Sequence, residues 1–166
     1  MISLFIGRFQ PFHKGHLHDI KEALKFSDNV IIAVGSSQES GTNENPFSYD
    51  ERKEMIEKVI KKERIPNTEV YPVPDINDDA MWADHVISIT GDADIIYTGN
   101  KWVKKLFRQK GFEVRDVSFL PEVNATEIRK RMHHGKDWES LVPAEVADII
   151  HKVGGVNRVK RINGKL

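Results

Sequence analysis

The sequence contains no cysteine, and it has no excess of charge of either sign, since 25 Lys and Arg residues balance 25 Asp and Glu residues. The first absence excludes disulfide bonds, thiol nucleophiles, iron–sulfur clusters and cysteine-ligated zinc. The second argues against bulk attraction to nucleic acid or to an anionic membrane, because such binding normally needs surplus positive charge. We therefore expect no nucleic-acid or membrane partner, and we expect any bound anion to be held locally.

Long hydrophobic runs are also missing. No stretch approaches the ~20 apolar residues of a membrane span, and the first apolar run, Met1–Ile6, is too short for the core of a secretion signal. Glycine and proline contribute only 11 and 7 of the 166 residues, which argues against collagen-like and low-complexity chains. These features predict a soluble, cytoplasmic, globular protein with a single main domain.

Short apolar runs alternate with longer amphipathic stretches along the chain. We predict strands at 2–6, 29–34, 69–73, 95–97 and 112–117, and helices at 14–26, 49–63, 80–89, 101–110, 125–134 and 143–153. This alternation predicts the α/β fold class, a three-layer α/β/α sandwich around a five-stranded parallel sheet with right-handed crossovers. We expect the domain to cover 1–155 and the basic tail, 156–166, to be loosely held.

The first candidate site follows the first predicted strand, where ligands bind in open α/β sheets. His13 and His16 are three positions apart at a predicted helix start, so both face one side. The free N–H groups at a helix start suit phosphate. The same segment supplies further groups that a phosphate site can use: Gly7, Arg8, Lys14 and Gly15.

Other interpretations of the histidine pair stay open. One histidine at a helix start is more often a surface or capping residue, and an i, i+3 pair can also form a weak metal site. A metal centre would need further ligands, and the sequence has no His-Glu-x-x-His motif. The Walker and Gly-x-Gly-x-x-Gly motifs are absent too, so neither a P-loop NTPase nor a standard dinucleotide-binding domain is indicated.

The second candidate site opens the helix predicted at 125–134. Asn124 is a good N-cap with Glu127 three positions later, and the cations that follow could simply be a solvated helix face. Taken alone, this segment is best explained as an ordinary helix start. Thr126 and Arg129 gain significance only through the pattern they share with the first segment.

Together the two segments resemble the nucleotidylyltransferase superfamily, whose members carry a His-x-Gly-His motif after the first strand and a Ser/Thr-x-Ile-Arg motif opening a late helix. Here these are residues 13–16 and 126–129. Within that superfamily, the chain is most similar to the archaeal-type nicotinamide mononucleotide (NMN) adenylyltransferases. One departure is Ala125, which stands where the superfamily usually has a serine. The further matching segments are 7–17, 35–40, 44–47, 97–100 and 126–132.

The resemblance implies a Rossmann-like form of the predicted sandwich and the transfer of AMP from ATP to NMN, giving NAD and pyrophosphate. The attack would be in line, without a covalent enzyme intermediate, and Mg²⁺ would arrive with ATP. The implied assembly is a homo-oligomer, with a hexamer as one form. The residues implied to be catalytic are His13, His16, Arg8 and Arg129. The residues implied to bind substrate are Gly7, Phe9, Lys14, Gly15, Arg52, Asp75, Trp82, Gly99, Asn100 and Thr126.

The resemblance also assigns parts of the substrates. The two histidines would hold the triphosphate, Thr126 and Arg129 would clamp its β- and γ-phosphates, and Arg52 would bind another phosphate. Gly99 and Asn100 would form part of the adenine pocket.

The ring of NMN is cationic, so an indole face with a carboxylate beside it is a favourable platform. Trp82, with Asp75 upstream, occupies the position of the family's stacking tryptophan. A core tryptophan on an amphipathic helix is an equal alternative for Trp82, and for Trp102 and Trp138 we expect core or surface roles.

Two further functions stay open from the sequence. The first is another small-molecule nucleotidylyltransferase, acting on pantetheine phosphate, FMN or a phospho-alcohol. The second is a non-catalytic nucleotide-binding module or RNA-associated protein that keeps the fold.

Overall fold

In the computed structural model, which describes residues 1–118 and 120–164, all strand pairings are parallel. They join the strands in the order β3-β2-β1-β4-β5, which confirms the predicted five-stranded parallel sheet. The strands are β1 (Ile2–Gly7), β2 (Asn29–Gly35), β3 (Thr68–Val73), β4 (Ile95–Tyr97) and β5 (Glu113–Arg115).

Helices follow each strand. The predicted helices are all present, with ends that differ by a few residues, and a short 3₁₀ turn at Glu139–Leu141 is additional. None of the helices in the described part of the chain is both long and apolar enough to cross a bilayer. The helices are α1 (Lys14–Ala23), α2 (Tyr49–Lys62), α3 (Asp79–Thr90), α4 (Lys101–Gln109), α5 (Ala125–His133), α6 (Ala144–Lys152) and α7 (Gly155–Asn163).

The core lies on both faces of the sheet. Alternate residues of a strand point to opposite faces, and in β1 Phe5 packs into one hydrophobic cluster while Leu4 and Ile6 pack into another. The first cluster includes side chains of α1, α2, α5, α6 and α7, and the second includes side chains of α3 and α4. This arrangement confirms the three-layer α/β/α sandwich and explains why the central strands are almost continuously apolar.

Polar side chains cap the starts of several helices, including the Asn124 cap that the sequence predicts. At α2, the Ser48 hydroxyl accepts from the Glu51 amide while the Glu51 carboxylate accepts from the Ser48 amide. This reciprocal pair is a capping box, and it satisfies two backbone donors that the helix would otherwise leave free. Asn124 caps α5 and Asp78 caps α3 in the simpler one-way manner.

The expectation of a loose tail is wrong. Residues 155–163 form helix α7, whose Val159 is buried in the core. Arg158 donates to both carboxylate oxygens of Glu51, at 2.6 and 2.9 Å, and to the Pro46 carbonyl at 2.9 Å. The helix therefore docks on the start of α2; residues 165 and 166 lie outside the described part of the chain.

The strand order places a reversal of direction next to β1. From β1 the chain proceeds outward through β2 and β3, and it then returns to the other side of β1 to form β4 and β5. The loops after β1 and β4 therefore diverge to opposite faces and leave a crevice at their carboxyl ends. The candidate site lies there.

Candidate active site

A cavity of about 770 Å³ opens at the carboxyl ends of β1, β2 and β4. The starts of α1, α4 and α5 also border it. The two sequence motifs meet here, because His16 and Arg129 line this same cavity. The predicted site residues among its walls are Gly7, Arg8, Phe9, His13, Gly15, His16, Asp75, Trp82, Gly99, Asn100, Thr126 and Arg129.

The two histidines cap each other at the start of α1. The His13 amide donates to His16 Nδ1 at 3.1 Å, and the His16 amide donates to His13 Nδ1 at 3.3 Å. The rings stack with centroids 3.5 Å apart and planes 16° from parallel. Because each Nδ1 accepts a hydrogen bond, the proton of each neutral ring is on Nε2. The capping arrangement thus leaves both rings with an Nε2–H donor.

Burial keeps both imidazoles uncharged at neutral pH. It lowers the pKa of His13 from 6.5 to about 4. It also lowers the pKa of His16 well below its usual range, and the neighbouring His13 lowers it further. Neutral imidazoles with such low pKa values are hydrogen-bond donors rather than proton carriers at neutral pH. The pair is therefore suited to binding an anion such as phosphate.

Gly15 lies directly beneath the His13 ring. A Cβ atom at this position would approach the His13 Cε1 and Nδ1 atoms to 3.0 Å. Any other residue would therefore press on the ring and shift it by a few tenths of an ångström, so packing within the protein favours the glycine of the motif. Phe9 supports the second ring in a similar way, with its centroid 4.7 Å from that of His16.

The start of α5 brings Thr126 and Arg129 to the opposite wall. Arg129 Nη1 donates to the Gln10 carbonyl at 2.8 Å, which ties α5 to the loop between β1 and α1. Burial lowers the pKa of Arg129 from its usual value, and the guanidinium stays charged at neutral pH. The helix start adds free N–H groups to this wall.

Arg8 crosses the mouth of the cavity to an acidic partner. Its Nη1 atom lies 3.3 Å from a carboxylate oxygen of Glu44, and both side chains are largely exposed. An exposed ion pair of this kind contributes little stability. Arg8 can therefore exchange Glu44 for another anion at small cost.

Two indoles line one end of the cavity. Trp82 is 4% exposed and belongs to the hydrophobic core, whereas Trp102 is 39% exposed. Their ring centroids are 5.1 Å apart, and Trp102 Nε1 donates to an Asp79 carboxylate oxygen at 3.2 Å. The core interpretation of Trp82 is confirmed; because Trp82 also lines the cavity, its stacking role stays a prediction. Trp102, expected only as a core or surface residue, is a cavity residue.

Asp75 is fixed by residues at the end of β2. Its two carboxylate oxygens accept from Ser36 Oγ at 3.2 Å and from Gln38 Nε2 at 2.9 Å, and its amide donates back to Gln38 Oε1. The carboxylate therefore keeps a defined position in the cavity wall. A negative charge here favours a cationic ligand group.

Lys14 and Arg52 are not among the residues that line the cavity. Lys14 is exposed at the first position of α1. Arg52 is completely buried behind the cavity, and its guanidinium donates only to backbone carbonyls. The acceptors are Ser48 at 3.2 Å, Arg8 and Gly35 at 2.9 Å, Ser36 at 3.1 Å and Glu39 at 3.4 Å.

These bonds argue against the phosphate contact that the resemblance implies for Arg52. A guanidinium has five N–H donors, and each of them is engaged by the protein. A direct contact to phosphate would require several of these bonds to break in a buried place, which is costly. Arg52 instead holds the backbone at the ends of β1 and β2.

Other cavity residues escaped sequence reasoning. Gln10 is buried, and its side-chain amide pairs with both the N–H and the carbonyl of Phe47. Asp19 lies one turn after His16, and its carboxylate accepts from the Ser118 amide at 2.9 Å. The position of Asp19 on the face of His16 was a usable signal. The positions of Gln10 and Ser118 depend on long-range contacts that no local pattern encodes.

Within residues 1–118 and 120–164, no group of three or more His, Asp or Glu side chains gathers as a metal site. The cavity does hold isolated carboxylates, those of Asp19, Glu44 and Asp75. Mg²⁺ typically binds through one or two carboxylates together with substrate phosphates. The donor set therefore fits a divalent ion that enters with a nucleotide.

The fold and cavity together define an α/β protein with a candidate site at the carboxyl edge of a parallel sheet, lined by groups that suit phosphate. The model of the cytidylyltransferase-like family matches residues 4–131. The chain belongs to that family.

Similar proteins of known name cover nearly the whole chain. It is 45% identical to the nicotinamide-nucleotide adenylyltransferase of Methanococcus aeolicus, over 99% of this chain and 96% of that protein. It is 42% identical to the protein of the same name from Thermoplasma acidophilum, over 97% of this chain and 91% of that one. The likeness therefore extends through α7, beyond the segment matched by the family model.

A solved structure supports the fold. A bifunctional NMN adenylyltransferase/ADP ribose pyrophosphatase from Francisella tularensis superimposes with a TM-score of 0.73 and 27% identity, over 99% of this chain and 56% of that one. The present chain thus spans about half the length of the bifunctional protein. A second crystal structure of that protein, complexed with AMP and Mn ion, gives a TM-score of 0.68.

Proposed function

We propose that this chain is a nicotinamide-nucleotide adenylyltransferase, which transfers AMP from ATP to NMN and releases NAD and pyrophosphate. The observation that carries the proposal is the meeting of His13, His16, Thr126 and Arg129 around one cavity. The names of relatives that are 42% and 45% identical over nearly the whole chain support it.

The proposed reaction is a direct displacement at phosphorus. A 5′-phosphate oxygen of NMN attacks the α-phosphorus of ATP in line; the new P–O bond forms as the bond to pyrophosphate breaks. A phosphate monoester already carries negative charge at neutral pH, so no strong base is needed. Positioning of the two substrates and neutralisation of charge supply the acceleration. No covalent enzyme intermediate is required.

The side chains of the cavity meet these needs. The His13 and His16 Nε2–H groups donate to the triphosphate without changing their protonation, which suits their low pKa values. Arg8 and Arg129 neutralise the charge that passes to the leaving pyrophosphate. Thr126 and the N–H groups at the start of α5 bind the β- and γ-phosphates. Because Ala125 stands where the superfamily usually has a serine, Thr126 supplies the hydroxyl of this motif without help from a neighbouring serine.

Mg²⁺ would arrive with ATP and would neutralise phosphate charge. The carboxylates of Asp19, Glu44 and Asp75 line the cavity and could serve as ligands beside the phosphates. Gly99 and Asn100, after β4, border the adenine side of the cavity.

The acceptor assignment rests on the aromatic and acidic residues of the cavity. The nicotinamide ring of NMN carries a positive charge, and an indole face attracts a cation. Trp82 and Trp102 supply indoles and Asp75 supplies a carboxylate among the lining residues. Neither pantetheine phosphate nor FMN carries a comparable cation, so these features favour NMN.

A substrate panel tests the proposal. Purified protein is incubated with ATP, Mg²⁺ and, in separate reactions, NMN, nicotinic acid mononucleotide, phosphopantetheine or FMN, and pyrophosphate and the dinucleotide product are quantified. We expect pyrophosphate and NAD in equal amounts with NMN. Turnover with phosphopantetheine or FMN but not with NMN would show that NMN is not the acceptor. ATP binding without turnover on any acceptor would show that the protein is a non-catalytic nucleotide-binding module.

The assembly and location are also proposals. The family resemblance predicts a homo-oligomer in the cytoplasm, with a hexamer as one form. Light scattering on the purified chain measures the mass of the assembly directly, and a mass equal to the 19.0 kDa of one chain would contradict the prediction.

A further inference from the structure

We propose that Arg52 is a positioning residue for the phosphate site, which aims the backbone N–H groups of Phe9 and Ser36 into the cavity as donors to a substrate phosphate. The proposal deepens the proposed function and rests on it for the identity of that phosphate. It explains why a fully buried arginine contacts the loops around the cavity through their backbone alone.

The ends of β1 and β2 share an uncommon backbone conformation. Phe9 has φ of 54° and Ser36 has φ of 46°. Left-handed values are uncommon for residues other than glycine. Both residues line the cavity, and β1 and β2 are adjacent strands of the sheet. Two turns of the same hand therefore lie side by side at the edge where phosphate is expected.

Arg52 fixes the peptide group at each turn. Its Nη1 atom donates to the carbonyls of Arg8 and Gly35, both at 2.9 Å. In a trans peptide the N–H of the next residue points away from that carbonyl. The N–H groups of Phe9 and Ser36 thus point away from the guanidinium. Within the residues that the structure describes, neither N–H donates to a protein acceptor.

Unpartnered backbone N–H groups in turns of this kind form anion-binding concavities. Besides Phe9 and Ser36, the histidine pair and Arg8 also line this cavity. A phosphate there would complete the hydrogen bonding of the two turns. Arg52 acts through the backbone, so it affects the site without touching the ligand.

The site demands arginine at this position. Five carbonyls converge on the guanidinium, and the described residues include no carboxylate paired with it. A lysine ammonium has three donors and no planar fork, so it can hold only part of this set. Arg52→Lys keeps the charge and most of the volume while it releases one or more of the turns.

The first test observes the two amides directly. Backbone ¹H–¹⁵N spectra of the wild-type protein are recorded during titration with inorganic pyrophosphate and, separately, with NMN. We expect the Phe9 or Ser36 amide proton to move downfield on saturation, and the titrant that moves it identifies the source of the phosphate. Saturation with both titrants without a downfield shift of either amide would overturn the proposal.

The second test separates positioning from stability. Arg52→Lys is compared with Arg158→Gln, which removes bonds to Glu51 and Pro46 on the outer side of α2 but leaves the strand ends intact. Both variants should lose thermal stability. At a temperature well below both transitions, Arg52→Lys should lose about 10-fold or more in kcat, whereas Arg158→Gln should keep kcat and KM. Equal kinetics for the two variants would show that Arg52 is only structural.

Failure of the proposed function would look different. Suppose that the wild-type protein makes no NAD but still binds pyrophosphate, and that the amide proton still moves downfield. This result would contradict the proposed adenylyl transfer while it supports the positioning role of Arg52. In that case the quantity compared between the wild-type protein and Arg52→Lys is the affinity for pyrophosphate, measured by calorimetry, instead of kcat. We expect Arg52→Lys to bind pyrophosphate about 10-fold more weakly or worse, while unchanged affinity would overturn the inference.

Discussion

At the scale of single residues, the histidine pair joins a structural role to a chemical one. Each ring accepts the amide of the other residue, so the same two atoms that cap α1 fix where the ring protons are. Gly15 has to be small because His13 lies against it. The motif is thus a rigid unit, and its Nε2–H donors are oriented before any ligand arrives.

The contribution of His16 to catalysis can be measured in one variant. His16→Ala removes an Nε2–H donor whose contact strengthens as charge develops on the phosphates, so we expect kcat to fall by about 100-fold or more. Steady-state assays of NAD formation check this. His134→Ala, at an exposed position after α5, serves as the control and should keep wild-type kcat. Near-normal turnover by His16→Ala would remove His16 from the mechanism.

The low pKa values predict a dependence of stability on pH. The histidines are neutral in the folded protein, whereas in the unfolded chain they bind protons below pH 6.5. Their full contribution to the free energy of unfolding is therefore present above pH 6.5 and is lost as the pH falls toward 4. For His13 alone, the loss amounts to at most about 3 kcal/mol. Urea unfolding at a series of pH values measures the slope.

His13→Asn provides the matched control for that slope. Asparagine is a good N-cap that does not titrate, so the variant should show a shallower loss of stability between pH 6.5 and 4. Asp19 works in the opposite direction, because burial raises the pKa of its carboxyl and so adds relative stability in acid. An unchanged slope in His13→Asn would contradict the assignment of the titration to His13.

The two indoles of the cavity should differ in their effects. Trp82→Ala removes a core side chain and should cost about 3 kcal/mol or more of unfolding free energy. Trp102→Ala removes a partly exposed face, so we expect nearly unchanged stability and a KM for NMN raised about 5- to 30-fold, with the KM for ATP unchanged. Thermal melts and steady-state kinetics of both variants check this. A Trp102→Ala variant with wild-type KM for NMN would remove that indole from the acceptor site.

Most of the site residues expected from the motifs and the resemblance line the cavity, because the segments that carry them lie near strand ends. Sequence reasoning did not foresee the burial of Arg52, since nothing in the local sequence distinguishes a buried arginine from an exposed one. Burial of an arginine without a paired carboxylate is rare, and here it depends on carbonyls from β1, β2 and α2 meeting at one point. The mutual capping of the two histidines was likewise not predicted, because it depends on the orientation of both rings.

At the scale of elements, apolar periodicity predicted the strands and most helices because both faces of the sheet are covered. β5 is shorter than predicted, three residues at the edge of the sheet. Helix α7 was missed because Gly154 and Gly155 favour a helix end and the cations that follow resemble a solvated tail. Val156, Val159 and Ile162, spaced by three, were the overlooked signal of an apolar face.

Helix α7 should contribute to stability. Deleting residues 155–166 removes the buried Val159 and the Arg158 bonds to Glu51 and Pro46. We expect a loss of about 2 kcal/mol or more in unfolding free energy, and therefore a melting temperature lower by about 4 °C or more. Arg161→Gln, at an exposed position on the same helix, is the control and should melt like wild type. An unchanged melting temperature of the deletion variant would show that α7 contributes no stability, as expected for a loosely held tail.

At the scale of the whole molecule, a chain with no net charge gathers in one cavity the groups that we propose bind phosphate. The order β3-β2-β1-β4-β5 puts the switch of direction beside β1, and the loop after β1 carries Arg8 and the histidines to that crevice. Helix α5 then brings Arg129 from a distant part of the sequence to the same cavity, where it donates to the Gln10 carbonyl. The topology therefore assembles the site, and local charge replaces any overall attraction to anions.

A crystal structure of the protein with Mg²⁺ and a non-hydrolysable ATP analogue tests this account most directly. We predict that one triphosphate lies in the cavity, with His16 Nε2 and the Arg129 guanidinium both within hydrogen-bond distance of its oxygens. An analogue that binds at another surface, or that contacts the His16 segment while Arg129 contacts none of its oxygens, would contradict the account.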